Sequence, residues 1–246
     1  MELERIRKQF ECHFGDLIVE SVKNFSISLK QIRKRLVVVN PELLQGITNK
    51  GRSIAICGGH QNNWELCGIG SPLHIPLPTM AIYKRLSNDY FDQKMKMSRG
   101  KYGLNMVPTV KSSRWIKDHA DSQMAVIFAI DQSPANPKKS YWMNWLNQET
   151  AFYFGAEHLS RKHNMVVVTG KVEKVKRGHY QVTYSLITEH PNLEKEGAII
   201  QAIAEKLKSD IEESPQYWLW THKRWKHSRP ADIPLKKPVS LNDVSA

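Results

Sequence analysis

The chain is poor in the features that mark secreted, metal-stapled or membrane-spanning proteins. Its 246 residues include three cysteines, Cys12, Cys57 and Cys67. An odd number without framework spacing excludes a disulfide-stapled secreted domain and fits a reducing cytosolic setting. Cys57, His60 and Cys67 match no usual zinc spacing and lack a fourth ligand, so no metal is expected. No apolar run approaches the roughly 18–20 residues that cross a bilayer as a helix. The opening stretch MELERIRKQFECHFGDL also lacks the apolar middle of a signal peptide. Acidic residues are scarce beside basic ones, 24 against 36, for a formal charge of +12. That excess attracts phosphates, whether in nucleic acid, anionic lipid or a phosphorylated cofactor, without saying which. There is no internal repeat, and no linker that forces a second domain.

What is present reads as one folded unit, with 41% hydrophobic residues and mixed charge. Residues 2–37 read as one or two helices, with Phe10, Phe14, Leu17, Ile18, Val22 and Phe25 near helical spacing. The basic cluster KQIRKR (30–35) closes that segment. Strands follow at 53–57, 79–83, 103–108 and, most clearly, 123–130, with helices at 62–70, 88–102 and 112–121 between them. Residues 133–147 read as a loop and 149–163 as a helix. Residues 164–188 read as a β-hairpin turning at KRGH, and 192–214 as an amphipathic helix stopped by Pro215. The expected fold is therefore α/β, a single domain with a central mixed, largely parallel sheet flanked by helices. It runs over 1–230, and 231–246 is a proline-rich, loosely ordered tail.

Ligands in open α/β sheets sit beyond the carboxyl ends of the strands. His60 follows one strand, Lys84 and Arg85 a second, and Asp131 the clearest. The stretch SIAICGGHQNNWELCGIG (53–70) places His60 and Glu65 five residues apart. On an ideal helix they would lie about 140° from each other. If Gly58, Gly59 and His60 form a turn and the helix begins near Asn62, His60 can fold back to Glu65. A carboxylate on one imidazole nitrogen leaves the other as a base. Free N–H groups at the helix start could face a developing negative charge. These are parts for deprotonating a hydroxyl or amine that attacks an acyl carbon. An isolated H-x4-E is short and common, and taken alone it favours a capping histidine and a surface ion pair.

The segment GGHQNNWE resembles the H-x4-D/E block of the lysophospholipid and lipid A acyltransferases, in particular the H-x-x-N-W-E version of the bacterial lipid A (lauroyl/myristoyl) branch. AIYKRLSN (81–88), SRGKYGLNMVP (98–108) and IFAIDQSP (127–134) are similar to further blocks of that family, in order. So are ETAFYFGAEHLSRKHNMVVV (149–168) and PQYWLWTHKRWKHSRP (215–230). The likeness spans about residues 10–230. It implies a glycerolipid acyltransferase-like fold and transfer of a fatty acyl group from acyl-carrier protein or acyl-CoA to a hydroxyl of a lipid A precursor or related lipid. His60 would be the general base and Glu65 its orienting partner, with no cofactor, no metal and no acyl-enzyme. It implies the cytoplasmic face of the bacterial inner membrane, reached peripherally or through an upstream anchor helix, which family members usually carry.

Arg85 and Arg99 are the expected anion contacts, since a guanidinium grips phosphate or carboxylate as a fork. Lys84 competes with Arg85 for the family's arginine role, and Asn63 of the H-x-x-N-W-E block joins the substrate contacts. Asp131 and Gln132 could hold Arg85 or Arg99 in place. Trp218, Trp220 and Trp225, interleaved with Lys223, Arg224 and Lys226, suit a membrane interface, with at least one tryptophan in the core. Such interleaving also suits single-stranded nucleic acid, but no nucleic-acid motif accompanies it. The remaining rivals are a lysophospholipid or aminolipid acceptor, and a basic binding protein that has lost catalysis. The intact His60–Glu65 pair weighs against the latter.

Overall fold

A computed structural model describes residues 1–242. The N-terminal segment forms α1 (Glu2–Asn24) and α2 (Leu29–Arg35). Ser28 starts α2 with a capping box, its hydroxyl accepting from the Gln31 N–H while the Gln31 side chain accepts from the Ser28 N–H. The chain then enters β1 (Leu36–Val38), so the all-helical reading of 2–37 ends two residues early. Next come α3 (Pro41–Asn49), β2 (Ile54–Gly58), α4 (Trp64–Gly70), β3 (Thr79–Tyr83), α5 (Asp89–Gly100), β4 (Asn105–Pro108), α6 (Thr109–Asp118) and β5 (Ala125–Ala129). The strand–helix alternation read from the sequence is thus present, with shifted ends.

Residues 133–147 are not all loop. They lead into β6 (Tyr141–Trp145), which pairs antiparallel with β7 (Gln148–Phe152). Leu146 and Asn147 between them have φ of 50° and 60°, the left-handed pair a two-residue hairpin turn requires. The prolines at 134 and 137 precede β6, so they do not interrupt it. The helix expected over 149–163 is accordingly shorter, α7 (Gly155–Lys162). After it come β8 (Val166–Lys176), β9 (His179–Thr188) and α8 (Ala198–Glu213), with the expected turn between the strands. α8 starts six residues later than the sequence suggests. Gly197 has φ 89°, and the buried Glu157 carboxylate accepts from the N–H groups of Gly197 and Ile200 at 2.6 and 2.9 Å, which fixes the helix start there.

The main sheet has seven strands in the order β1-β9-β8-β2-β5-β3-β4. From β8 to β4 all neighbours are parallel, and only the β8–β9 pair is antiparallel. Alternation on the central strands sorts two cores. Ile54, Ile56 and Ala125 pack with Leu44, Leu66 and Ile69 on one face. Ala55, Cys57, Val126 and Phe128 pack with Ile116, Leu159 and Ile203 on the other. Both faces are covered, as a parallel sheet demands. Of the expected tail, residues 231–242 bond back to the body. The Lys236 N–H donates to the Trp142 carbonyl, and those of Val239 and Asn242 to the side chains of Gln201 and Glu194. Residues 243–246 of that tail lie outside the described residues.

Candidate active site

The centre of the sheet sets the site. β2 and β5 lie side by side in parallel, with Gly58 opposite Ala129. Two residues further along each strand, the same register sets His60 beside Asp131. The Asp131 carboxylate accepts from His60 twice, from Nδ1 at 2.6 Å and from the backbone N–H at 2.7 Å. It also accepts from the indole N–H of Trp218 at 2.9 Å. Gly59 makes this approach possible, since a Cβ there would stand 3.0 Å from Asp131 Oδ2 and 2.7 Å from a Leu207 methyl.

Burial presses the His60 pKa down, but the charge and hydrogen bond of Asp131 outweigh it, and the net shift is upward. For Asp131, burial would raise the pKa, and the bonds from His60 and Trp218 overcome it and hold it at about 2. With Asp131 accepting from Nδ1, the lone pair belongs on Nε2, which lies 3.2 Å from the Gln132 amide nitrogen. The loop beyond is fixed by the Ser133 N–H donating to His222 Nε2 at 2.9 Å.

A second strap holds the turn from the C-terminal side. Gln61 pairs with Trp218 as an antiparallel bridge, the Asn62 N–H donates to the Tyr217 carbonyl, and the Leu219 N–H donates to the His60 carbonyl. Asn62 itself has φ 50°, an αL conformation that asparagine tolerates better than most residues. It turns the chain sharply before Asn63 caps α4 by accepting from the Leu66 N–H.

That turn explains the principal departure from the sequence reading. Glu65 sits in the first turn of α4, facing α5, and makes its bonds to Arg99. Arg99 Nε donates to Oε2 at 2.9 Å, and a second guanidinium nitrogen donates to Oε1. The orienting bond on His60 therefore comes from Asp131, not from Glu65. Asp131 and Gln132 in turn contact His60, not Arg85 or Arg99. Arg85 is exposed in the loop before α5 and pairs with Asp89 at the start of that helix. Lys84 and Arg99 line a cleft of about 290 Å3 with Tyr83, Phe91, Met95 and Lys96. Asn63, expected among the substrate contacts, is buried and occupied, since its amide also donates to Glu20 at 2.5 Å.

Against known families, the model of the bacterial lipid A biosynthesis acyltransferases matches residues 2–227. The chain belongs to that family. It is therefore an acyltransferase, of the lipid A and lysophospholipid kind. A search of curated proteins found no match. Among the described residues of this acyltransferase, no helix is long and apolar enough to cross a membrane.

Within the Trp-rich block at 215–230, Trp218 and Arg224 are buried, which takes these two out of the expected membrane-interface set. Trp218 is 3% exposed and packs on Trp145 and Trp225. Arg224 is buried, donating to the Ala151 carbonyl with its guanidinium over the Phe152 ring at 4.6 Å. The Trp225 indole donates to Thr150. The block is a strap across the β6–β7 hairpin and the turn at His60, and Trp220, Lys223 and Lys226 are exposed on it. The sequence places Asp131 at the end of the clearest strand but does not mark its contact with His60. Nothing in the sequence marks Trp218 as its partner 87 residues away.

Proposed function

We propose that this acyltransferase moves a fatty acyl group from a thioester donor, acyl-carrier protein or acyl-CoA, to a hydroxyl of a lipid A precursor at the cytoplasmic face of the inner membrane. The residues up to about 230 form the catalytic unit. His60 Nε2 takes the proton of the acceptor hydroxyl, which displaces the Gln132 amide from that nitrogen. The oxygen attacks the thioester carbonyl, and the tetrahedral adduct collapses with loss of the thiolate. The imidazolium returns the proton to the leaving sulfur. Asp131 fixes the tautomer and stabilises the imidazolium. Glu65 holds the Arg99 guanidinium at the cleft, where it and Lys84 face an anionic group of the substrate.

The observation that carries this reading is the 2.6 Å bond from His60 Nδ1 to a buried carboxylate, which leaves Nε2 as the basic atom. The test is acyl transfer by the purified chain and its His60→Ala variant, with a lipid A precursor and either donor, read by mass spectrometry. Loss of the base should lower turnover about 10²–10⁴-fold. Near-normal turnover in the variant would remove His60 from the mechanism.

A further inference from the structure

The second half of α1 has its polarity inverted relative to a helix that faces water. Its inward face carries His13, Leu17, Glu20 and Asn24. Glu20 there accepts from Asn63 and from the Tyr180 hydroxyl. The outward face carries Ile18, Val19, Val22 and Phe25, with Ile18 53% and Val22 67% exposed. A soluble amphipathic helix would place these the other way round. Leu29, at the start of α2, extends the apolar surface.

α5 continues it. Tyr90, Lys94, Met97 and Lys101 recur at helical spacing along its outer side, and Tyr90 and Met97 are widely exposed. This row ends on the α1–α2 turn, where Lys101 Nζ and the Tyr102 hydroxyl both donate to the Ile27 carbonyl, at 3.0 and 2.7 Å. The C-terminal end of the α5 row therefore abuts the α1–α2 turn. Phe91, also exposed, carries the surface to the cleft that holds Arg99.

The charges nearby are one-signed. Lys23, Lys30, Arg33, Lys34 and Lys94 are exposed around these rows. The carboxylates within them are engaged: Glu20 faces inward, Asp92 is buried and accepts from Tyr83 and Leu86, and Asp89 pairs with Arg85. Bulky apolar side chains ringed by unopposed cations match an anionic bilayer, whose headgroups meet the cations while its acyl region takes the side chains.

We propose that the outer faces of α1 and α5, the latter abutting the α1–α2 turn, dock this enzyme on an anionic lipid bilayer and frame the mouth of the Arg99 cleft. This goes beyond the acyl-transfer assignment, because binding a bilayer needs none of the chemistry at His60. The exposed Trp220, Lys223 and Lys226 lie on the C-terminal strap, outside these two rows.

The test is co-sedimentation of the full chain with vesicles of phosphatidylglycerol and phosphatidylethanolamine, and with phosphatidylcholine alone. The wild type should pellet with the anionic vesicles, and high salt should leave a remainder held by the apolar rows. Val22→Asp with Phe25→Asp, and separately Met97→Asp, should each weaken binding roughly tenfold or more. Lys223→Gln with Lys226→Gln should leave it nearly unchanged. An environment-sensitive dye at Val22→Cys, in a Cys12→Ser background, should shift to the blue on vesicles, a readout that survives if the aspartate variants fold poorly. A wild type left in the supernatant, or a dye that does not respond, would overturn the proposal. So would aspartate variants that lose affinity for acyl-carrier protein while keeping vesicle binding. The His60→Ala variant should bind vesicles like the wild type, so failure of the catalytic reading and failure of the docking surface are seen separately.

Discussion

Replacing Asp131 by asparagine preserves the shape of the side chain and removes its charge, which isolates what the carboxylate does for His60. In the native site the carboxylate accepts three bonds, at 2.6, 2.7 and 2.9 Å, all from N–H donors. An asparagine amide has one acceptor oxygen and presents N–H groups on the other side. With its oxygen toward the two N–H donors that share Oδ2, its N–H group faces Nδ1, so the imidazole is held with the proton on Nε2 and the basic atom is blocked. The imidazolium formed during transfer also loses its counter-charge, and a loss of about 10²–10⁴ in kcat corresponds to roughly 2.7–5.4 kcal/mol of transition-state stabilisation.

The pH profile gives the sharper readout. In the wild type Asp131 raises the His60 pKa against the opposing effect of burial. Without the charge, burial prevails and the pKa falls, so the acid limb of kcat/KM moves to lower pH while the plateau drops. The stability difference between wild type and variant has a matching window. The raised histidine contributes below its ordinary value of 6.5 and loses that contribution as pH rises through its folded value. The depressed Asp131 contributes above its ordinary 3.8 and loses it as pH falls toward about 2. Chemical denaturation should therefore show the largest difference between pH 3.8 and 6.5. An acid limb that stays in place, with kcat within a few-fold of wild type, would refute the orienting role of Asp131.

Glu65→Gln is the companion measurement. It breaks the fork to Arg99 and should raise KM for an anionic substrate, while the acid limb moves down by less than in Asp131→Asn, because the Glu65 charge raises the His60 pKa less than Asp131 does. If the limb moved as far as in Asp131→Asn, Glu65 would be coupled to His60 directly. Gly59→Ala should act through packing. The added carbon meets Asp131 at 3.0 Å and Leu207 at 2.7 Å, and Asp131, held by its bonds, has little freedom to yield. Overpacking of this kind costs about 1–3 kcal/mol, visible as a lower Tm together with reduced kcat, and an alanine variant with unchanged melting and turnover would show that the turn has slack.

Much of the architecture was legible because its determinants are local. Short branched apolar runs alternating with helical periods specify an α/β sheet, and the polar residues beyond the strand ends mark the reactive edge. The hairpin at 141–152 escaped because proline-rich flanking residues masked its alternation, and the delayed start of α8 because its cap is Glu157, distant in sequence. The sequence by itself determined the family, the net basic charge and the place of His60 just beyond a central strand. Only the tertiary structure decided which carboxylate serves it. Glu65 is five residues away, but the turn at Asn62 sends it to Arg99. Asp131 is 71 residues away, and parallel pairing of β2 with β5 brings it into contact. The same holds for the tryptophans and for α1. Side-chain type says what a residue could face, but whether Trp218 faces lipid or Asp131, and whether Val22 faces the core or the outside, depends on how the helices and straps close over the sheet.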